Sequence, residues 1–161
     1  MTAPPRIALV GCVKTKRQGT HEAKDLYVSP LFVRRRAYVE RLGLPWFILS
    51  AAHGLVAPEE RLHDYERTLN RMTAGERRAW GERVIEDLRT RLGDLAGLVV
   101  EVHAGSHYVK AVEAGLRASG ATIVVPTAHL GLGEELAWYG PPHRPAGPGW
   151  RASWAGVSPR D

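Results

Sequence analysis

The sequence predicts an α/β fold, a single-domain three-layer sandwich around a mostly parallel sheet of about four strands. Three observations carry that expectation. Four short apolar runs, RIALVGC (6–12), WFILSA (46–51), LVVEVHAG (98–105) and TIVVPT (122–127), are mostly continuous rather than alternating, as strands buried on both faces are. Stretches with helical spacing lie between them, and such alternation implies right-handed crossovers onto a parallel sheet. A length of 161 residues with 44% hydrophobic content suits one domain with its own core.

Each element has a local reason. The first strand ends at Gly11-Cys12. Ser29-Pro30 reads as an N-cap followed by proline at the first helical position, opening a helix to about Leu42, where Gly43 stops it. Thr73 and Glu76 form a capping box ahead of Trp80, Val84, Leu88 and Leu92, an apolar stripe at helical spacing. Val109, Val112 and Leu116 mark a third helix that closes near Gly120, and a last short helix runs from about Gly133 to Tyr139. Residues 1–139 form the α/β domain. Residues 140–161, GPPHRPAGPGWRASWAGVSPRD, read as an extended or disordered tail in which Trp150 and Trp154 are the docking candidates.

Composition excludes several classes. A single cysteine makes no internal disulfide, and the N-terminal MTAPPRIALVG lacks the features of a signal peptide. No apolar run approaches the ~20 residues of a membrane span, so a cytoplasmic protein without membrane contact is expected. No histidine pair has HxxxH spacing on a helix and no second cysteine is present, so neither a metal site nor a cofactor is expected. The net charge of +5 is localised. Lys14 to Arg36 holds seven cations against Glu22 and Asp25. That concentration suits a phosphate-bearing partner, a nucleotide or nucleic acid, and equally a solvated loop and helix face. The run Arg34-Arg35-Arg36 points around a helix, so its members cannot all reach one ligand.

In open parallel sheets ligands sit outside the carboxyl ends of the strands. Those ends carry GCVKTK, SAAHGLVAPEERLHDYERTL, HAGSHY and PTAHLGLGEE. Five of the seven histidines fall there, and the distribution points to one cleft at one sheet edge. GCVKTK lacks the glycine spacing of a Walker A loop, although lysines in a strand-to-loop turn hold phosphate as point charges. Cys12 reads either as a small buried hydrophobe or as a thiol activated by Lys14 and Lys16. No Ser-His-Asp order stands out, and the serines lack a nucleophile-elbow setting.

Two stretches resemble a known family. FILSAAHGLVAPEERLHDYERTL (47–69) is similar to the signature segment of the YaaA-like superfamily. GCVKTK with AKDLYVSPLFVRRRAYVE (23–40) is similar to its small bacterial and phage members, and shares a cysteine–lysine–tyrosine–serine pattern with the archaeosine synthase catalytic region. With HAGSHYVKAV and HLGLGEELAWY the resemblance spans about residues 6 to 139. It implies an α/β domain tied to DNA or nucleobase chemistry, with DNA binding, oxidative-stress protection and glycosylase-like relationships. The chain has no clear helix-hairpin-helix module, which shifts the expected substrate toward a free nucleotide, a nucleoside, or an exposed or flipped base.

The leading expectation is an N-glycosidase acting on a nucleotide or a modified nucleobase in nucleic acid. Breaking the base–sugar bond places positive charge on the sugar and negative charge on the base, so it needs a carboxylate and a proton donor. Asp64 is expected to face the sugar, with Glu134 and Glu135 in reserve, and His53, His103 or Tyr108 to protonate the base. Lys14, Lys16 and Arg35 neutralise phosphate, while Tyr27 and Ser29 orient it. Cys12, Ser50, Gly54, Tyr65 and Gly105 complete the expected binding set. Two alternatives stand beside it. One is a base-modifying transferase in which the Cys12 thiolate forms a covalent adduct. The other is a non-catalytic binder driven by the cations of residues 14–36.

Overall fold

The computed structural model describes residues 5–12 and 14–140, so residues 141–161 of the expected tail lie outside the described residues. In chain order the elements begin with β1 (Arg6–Gly11), β2 (Thr20–Glu22), the one-turn helix α1 (Ala23–Leu26) and α2 (Pro30–Leu42). Strands β3 (Trp46–Ser50), β4 (Gly54–Val56) and β5 (Arg61–His63) follow, then a 3-10 turn (Leu69–Arg71) and α3 (Ala74–Leu92). The last elements are β6 (Val99–His103), α4 (Ser106–Ala118), β7 (Thr122–Val124) and α5 (Leu132–Tyr139).

The main sheet has the order β4-β3-β1-β6-β7. β3, β1, β6 and β7 are parallel and are the four runs read from the sequence; β4 is a fifth strand, antiparallel to β3. The expected count of about four is corrected to five because the chain folds back within Ala51–His53. Gly54 takes the left-handed conformation (φ 72°) that restarts it in the opposite direction. β2 and β5 pair separately as an antiparallel ribbon. β2 and β5 (THE and RLH) are largely polar and β4 (GLV) is only three residues long, so none of the three stands out as an apolar run.

β1 is central, so Ala8, Leu9 and Val10 are fully buried between two neighbours. The helices obey their local signals. Ser29 Oγ accepts from the Phe32 N–H and Gly43 closes α2 at φ 70°; the Thr73–Glu76 capping box opens α3. α2 packs on α5, and α3 packs on α4. Glu101 and His103, two apart on β6, share the face that meets Tyr38 of α2 and Tyr139 of α5.

The connectivity fixes where a ligand can enter. From β1 the chain crosses to β3 on one side, then returns to β6 on the other side of β1. The parallel order therefore reverses between β1 and β6, and the carboxyl ends of these two strands bound the crevice that such folds use. At that point the strands come unusually close: a Cβ on Gly11 would lie 2.6 Å from the Ala104 Cβ.

Candidate functional site

A hydroxyl and thiol cluster occupies the carboxyl edge beside this reversal. Cys12 follows β1 directly, held by its N–H donating to the Leu49 carbonyl (2.9 Å), and its Sγ lies 3.2 Å from the Tyr108 hydroxyl. Tyr108 reaches it from the first turn of α4, with its ring edge-on to Trp80. On the β3 side, Ser50 Oγ accepts from the His53 N–H (3.1 Å) and lies 2.8 Å from the Tyr65 hydroxyl, itself 2.7 Å from the Tyr27 hydroxyl. The Trp80 indole N–H donates to the Ser50 carbonyl (2.9 Å) and fixes the end of β3.

Lys16 joins through the backbone. It pairs with Tyr27 as an antiparallel bridge, flanked by Arg17 N–H donating to the Leu26 carbonyl and Val28 N–H to the Thr15 carbonyl. This stitching holds the Lys16 ammonium 4.4 Å from the Tyr65 ring centre and 5.8 Å from that of Tyr27. His53 stands edge-on to Tyr65 at 5.4 Å. The three phenols all titrate high. Burial and then the nearby Cys12 thiol push Tyr27 up to about 12, and the same causes raise Tyr65 and Tyr108. The cluster thus presents protonated donors beside one thiol and one ammonium, an arrangement fit to receive an anion or a departing base.

A second polar group lies on the α2 and α5 side of the same strand ends. Arg35 is buried and binds Glu135 Oε2 through Nη2 (2.9 Å), with its Nη1 3.5 Å from the Gly11 carbonyl. Thr127 donates to the same Glu135 oxygen at 3.4 Å. Beneath it, His103 Nδ1 lies 2.7 Å from the Tyr139 hydroxyl and Nε2 lies 2.8 Å from Glu101, which also takes Arg6 at 2.9 Å. Burial, then the charge of Arg35, lower the His103 pKa despite the carboxylates nearby. Burial alone would raise Glu101, but the bonds from His103 and Arg6 outweigh it and hold its carboxyl low.

Cys12, Lys16, Tyr27, Ser50, Tyr65 and Tyr108 are therefore brought together, with His53 at their margin. Other expected site residues are engaged elsewhere. His103 is fully buried with both ring nitrogens partnered, on the opposite side from Tyr108. Arg35 is paired with Glu135. Asp64 Oδ1 accepts from the Gly19 N–H (2.8 Å) and meets His63 Nε2 (3.2 Å), clasping the β2–β5 ribbon. Glu134 caps α5 by accepting from the Gly131 N–H (3.1 Å). Ser29 caps α2, Gly54 shapes the β3–β4 turn, Gly105 precedes α4, and Lys14 is exposed. The three consecutive arginines diverge: Arg34 binds the Leu136 carbonyl and Arg36 binds Asp25 and Glu40. Arg36 also lines, with Arg17, Lys24, Asp25 and Tyr27, an open groove of about 310 Å³.

Glu135 is the residue whose importance sequence reading left in reserve. Its side chain is 13% exposed, and three donors converge on one oxygen of it beside the β1 end. Its neighbour Glu134 carries the same chemistry in sequence, and only the helical rotation of α5 separates a cap from a buried carboxylate.

Fold and site together define an α/β domain with a polar cluster at the reversal point of its sheet. The chain belongs to the DUF6884 family, a family of unknown function, whose profile matches residues 7–141. Comparison with curated proteins and with solved structures finds no match. Among the described residues no helix is long and apolar enough to cross a membrane, and no group of histidine, cysteine and acidic side chains is arranged to hold a metal ion.

Proposed function

We propose that this protein is an N-glycosidase acting on a nucleotide or a modified nucleobase in nucleic acid, built as a single-domain three-layer sandwich related to the YaaA-like proteins. The observation that carries the reading is the convergence of three protonated phenols, a serine, a thiol and the Lys16 ammonium where the strand order reverses. A base leaving a sugar takes negative charge, and such donors stabilise it. Lys16 and the exposed Lys14 supply point charges for a phosphate. The carboxylate role moves from Asp64, engaged with the ribbon, to Glu135, whose partner Arg35 also reaches the Gly11 carbonyl.

A second reading has an observation of its own. The Tyr108 hydroxyl at 3.2 Å from Cys12 Sγ is placed to stabilise a thiolate, as a covalent base-modifying transferase requires. Incubation with a panel of nucleoside monophosphates and modified-base oligonucleotides separates the two. The glycosidase reading expects free base to accumulate, with Cys12→Ser retaining most activity. Loss of all turnover in Cys12→Ser, with a substrate adduct on the wild-type thiol by mass spectrometry, would select the transferase. Salt-dependent binding with no chemistry at all would leave a nucleotide-binding protein.

A further inference from the structure

Arg35 grips Glu135 unevenly. A guanidinium edge commonly meets a carboxylate through two parallel bonds, one to each oxygen. Here Nε (3.3 Å) and Nη2 (2.9 Å), which can only donate, both converge on Oε2. Thr127 Oγ1 reaches the same oxygen at 3.4 Å; its hydroxyl also hydrogen-bonds Tyr139, and the asymmetry stands without it. Oε1 has no hydrogen-bond partner among the described residues, and solvent reaches it. The Glu135 side chain is 13% exposed, against 3% for Arg35. One oxygen is anchored and the other is open.

The anchor is itself braced. The Tyr139 hydroxyl hydrogen-bonds Arg35 and lies 2.7 Å from His103 Nδ1. His103 Nε2 lies 2.8 Å from Glu101, and Arg35, Tyr139, His103 and Glu101 are all buried. A buried cation moved off its carboxylate is left uncompensated, so the guanidinium stays in place and Oε2 stays with it. Arg35 also ties the pair to the strand ends, its Nη1 3.5 Å from the carbonyl of Gly11, the residue before Cys12. An acceptor-only oxygen that is fixed at this rim and open to solvent holds a water by its hydrogen. From this we infer that Glu135 activates the attacking water through Oε1, and that Arg35 is the positioning residue that keeps this oxygen free to do so. The inference rests on the N-glycosidase reading above and adds its hydrolytic half, the atom that takes the proton of water and the residue that aims it.

The step balances with water as the only co-reactant. The bond between the anomeric carbon and the base nitrogen breaks, and its electron pair leaves with the base. The water oxygen bonds to the anomeric carbon while one of its protons passes to Glu135 Oε1. The departing base takes up a proton from solvent, and Glu135 returns its proton to solvent. One base–sugar bond and one water are consumed; free base and a sugar with a new hydroxyl result.

The test separates the two oxygens. In Glu135→Gln only the amide carbonyl can accept from Arg35, so it takes the anchored position and the NH2 group takes the open one. On the nucleotide or oligonucleotide that wild type cleaves fastest, base release by Glu135→Gln should fall about 100-fold or more, the scale of a lost general base. Sodium azide supplies a nucleophile that needs no deprotonation. It should restore release by about tenfold or more and yield a sugar azide, detected by mass spectrometry. Arg35→Lys, which gives up the paired donors, should lower kcat by about tenfold with KM within about threefold. Circular dichroism melts check that each variant is folded at the assay temperature. Glu135→Asp keeps the charge that Arg35 needs and withdraws the open oxygen, so it serves where Glu135→Gln is unfolded, with kcat again expected to fall by about tenfold. Base release by Glu135→Gln or Glu135→Asp within about threefold of wild type overturns the inference, as does a loss in Glu135→Gln that azide leaves unrestored with no sugar azide formed. An unchanged kcat in Arg35→Lys overturns the positioning role. In each of these cases the glycosidase reading stands. A wild-type protein that releases no base from any substrate refutes the reading itself, and the inference falls with it.

Discussion

At the scale of single residues, the tightest spot in the site region is set by an atom that is missing. Gly11 ends β1 against Ala104, and a Cβ there would sit 2.6 Å from the Ala104 Cβ and 3.0 Å from its Cα. The second neighbour is backbone and cannot swing away. Gly11→Ala is therefore expected to destabilise the fold by about 1–3 kcal/mol, the usual range for overpacking. Urea unfolding measures it, and adding Ala104→Gly should restore only part of the loss because the backbone of residue 104 still crowds the new methyl. The same substitution pushes β1 and β6 apart where Cys12 meets Tyr108, so on the proposed glycosidase reading base release should fall as well. An unchanged midpoint would show that the strand ends separate freely there.

At the scale of elements, what could be read beforehand was what is encoded locally. α3 announced itself because its capping box lies three residues apart and directly ahead of its stripe; Thr73 Oγ1 accepts from the Glu76 N–H at 3.1 Å and Glu76 returns the bond to the Thr73 N–H at 2.9 Å. Because Thr73 is exposed, its removal leaves no cavity, and Thr73→Ala should cost about 1 kcal/mol in urea unfolding, with Thr73→Ser close to wild type. β1, β3 and β6 were legible for a similar reason, since burial writes a continuous apolar run, whereas the edge strand β7 has no buried residue and stood out by its β-branched composition alone. β4 and the β2–β5 ribbon were not legible. Their pairings are made with residues elsewhere in the chain, and three residues leave no trace of which face is inward. The site divides the same way. That Cys12, Lys16, Tyr27, Ser50, Tyr65 and Tyr108 meet follows from the parallel strands pointing their carboxyl ends to one edge. That Arg35 turns inward to a carboxylate 100 residues away, and that His103 faces Tyr139 rather than Tyr108, depends on rotations about α2 and β6 that only tertiary packing sets.

At the scale of the whole molecule, the phenols tie the site to stability. The chain has five tyrosines, and all five are raised: Tyr27 to about 12, and Tyr38, Tyr65, Tyr108 and Tyr139 likewise upward, with burial the largest cause in each. In the unfolded chain a phenol ionises near about pH 10. Above that pH the unfolded state holds fewer protons than the native state, so stability is complete below it and falls as pH rises. Each phenol contributes a slope of about 1.4 kcal/mol per pH unit, set against a total stability of about 5–15 kcal/mol. The acid side mirrors this. His103 is held below its ordinary value by burial, so the unfolded chain takes up its proton first and stability declines as pH falls below about 6.5. Denaturant midpoints should accordingly be flat near neutrality and fall on both sides, with His103→Gln flattening the acid limb. On the alkaline limb, phenolate absorbance should rise together with the loss of circular dichroism between about pH 10 and 12, as one cooperative event. Tyrosines that ionise near pH 10 while the circular dichroism stays native would mean that the phenols are solvated, and the donor cluster between β1 and β6 would lose its physical basis.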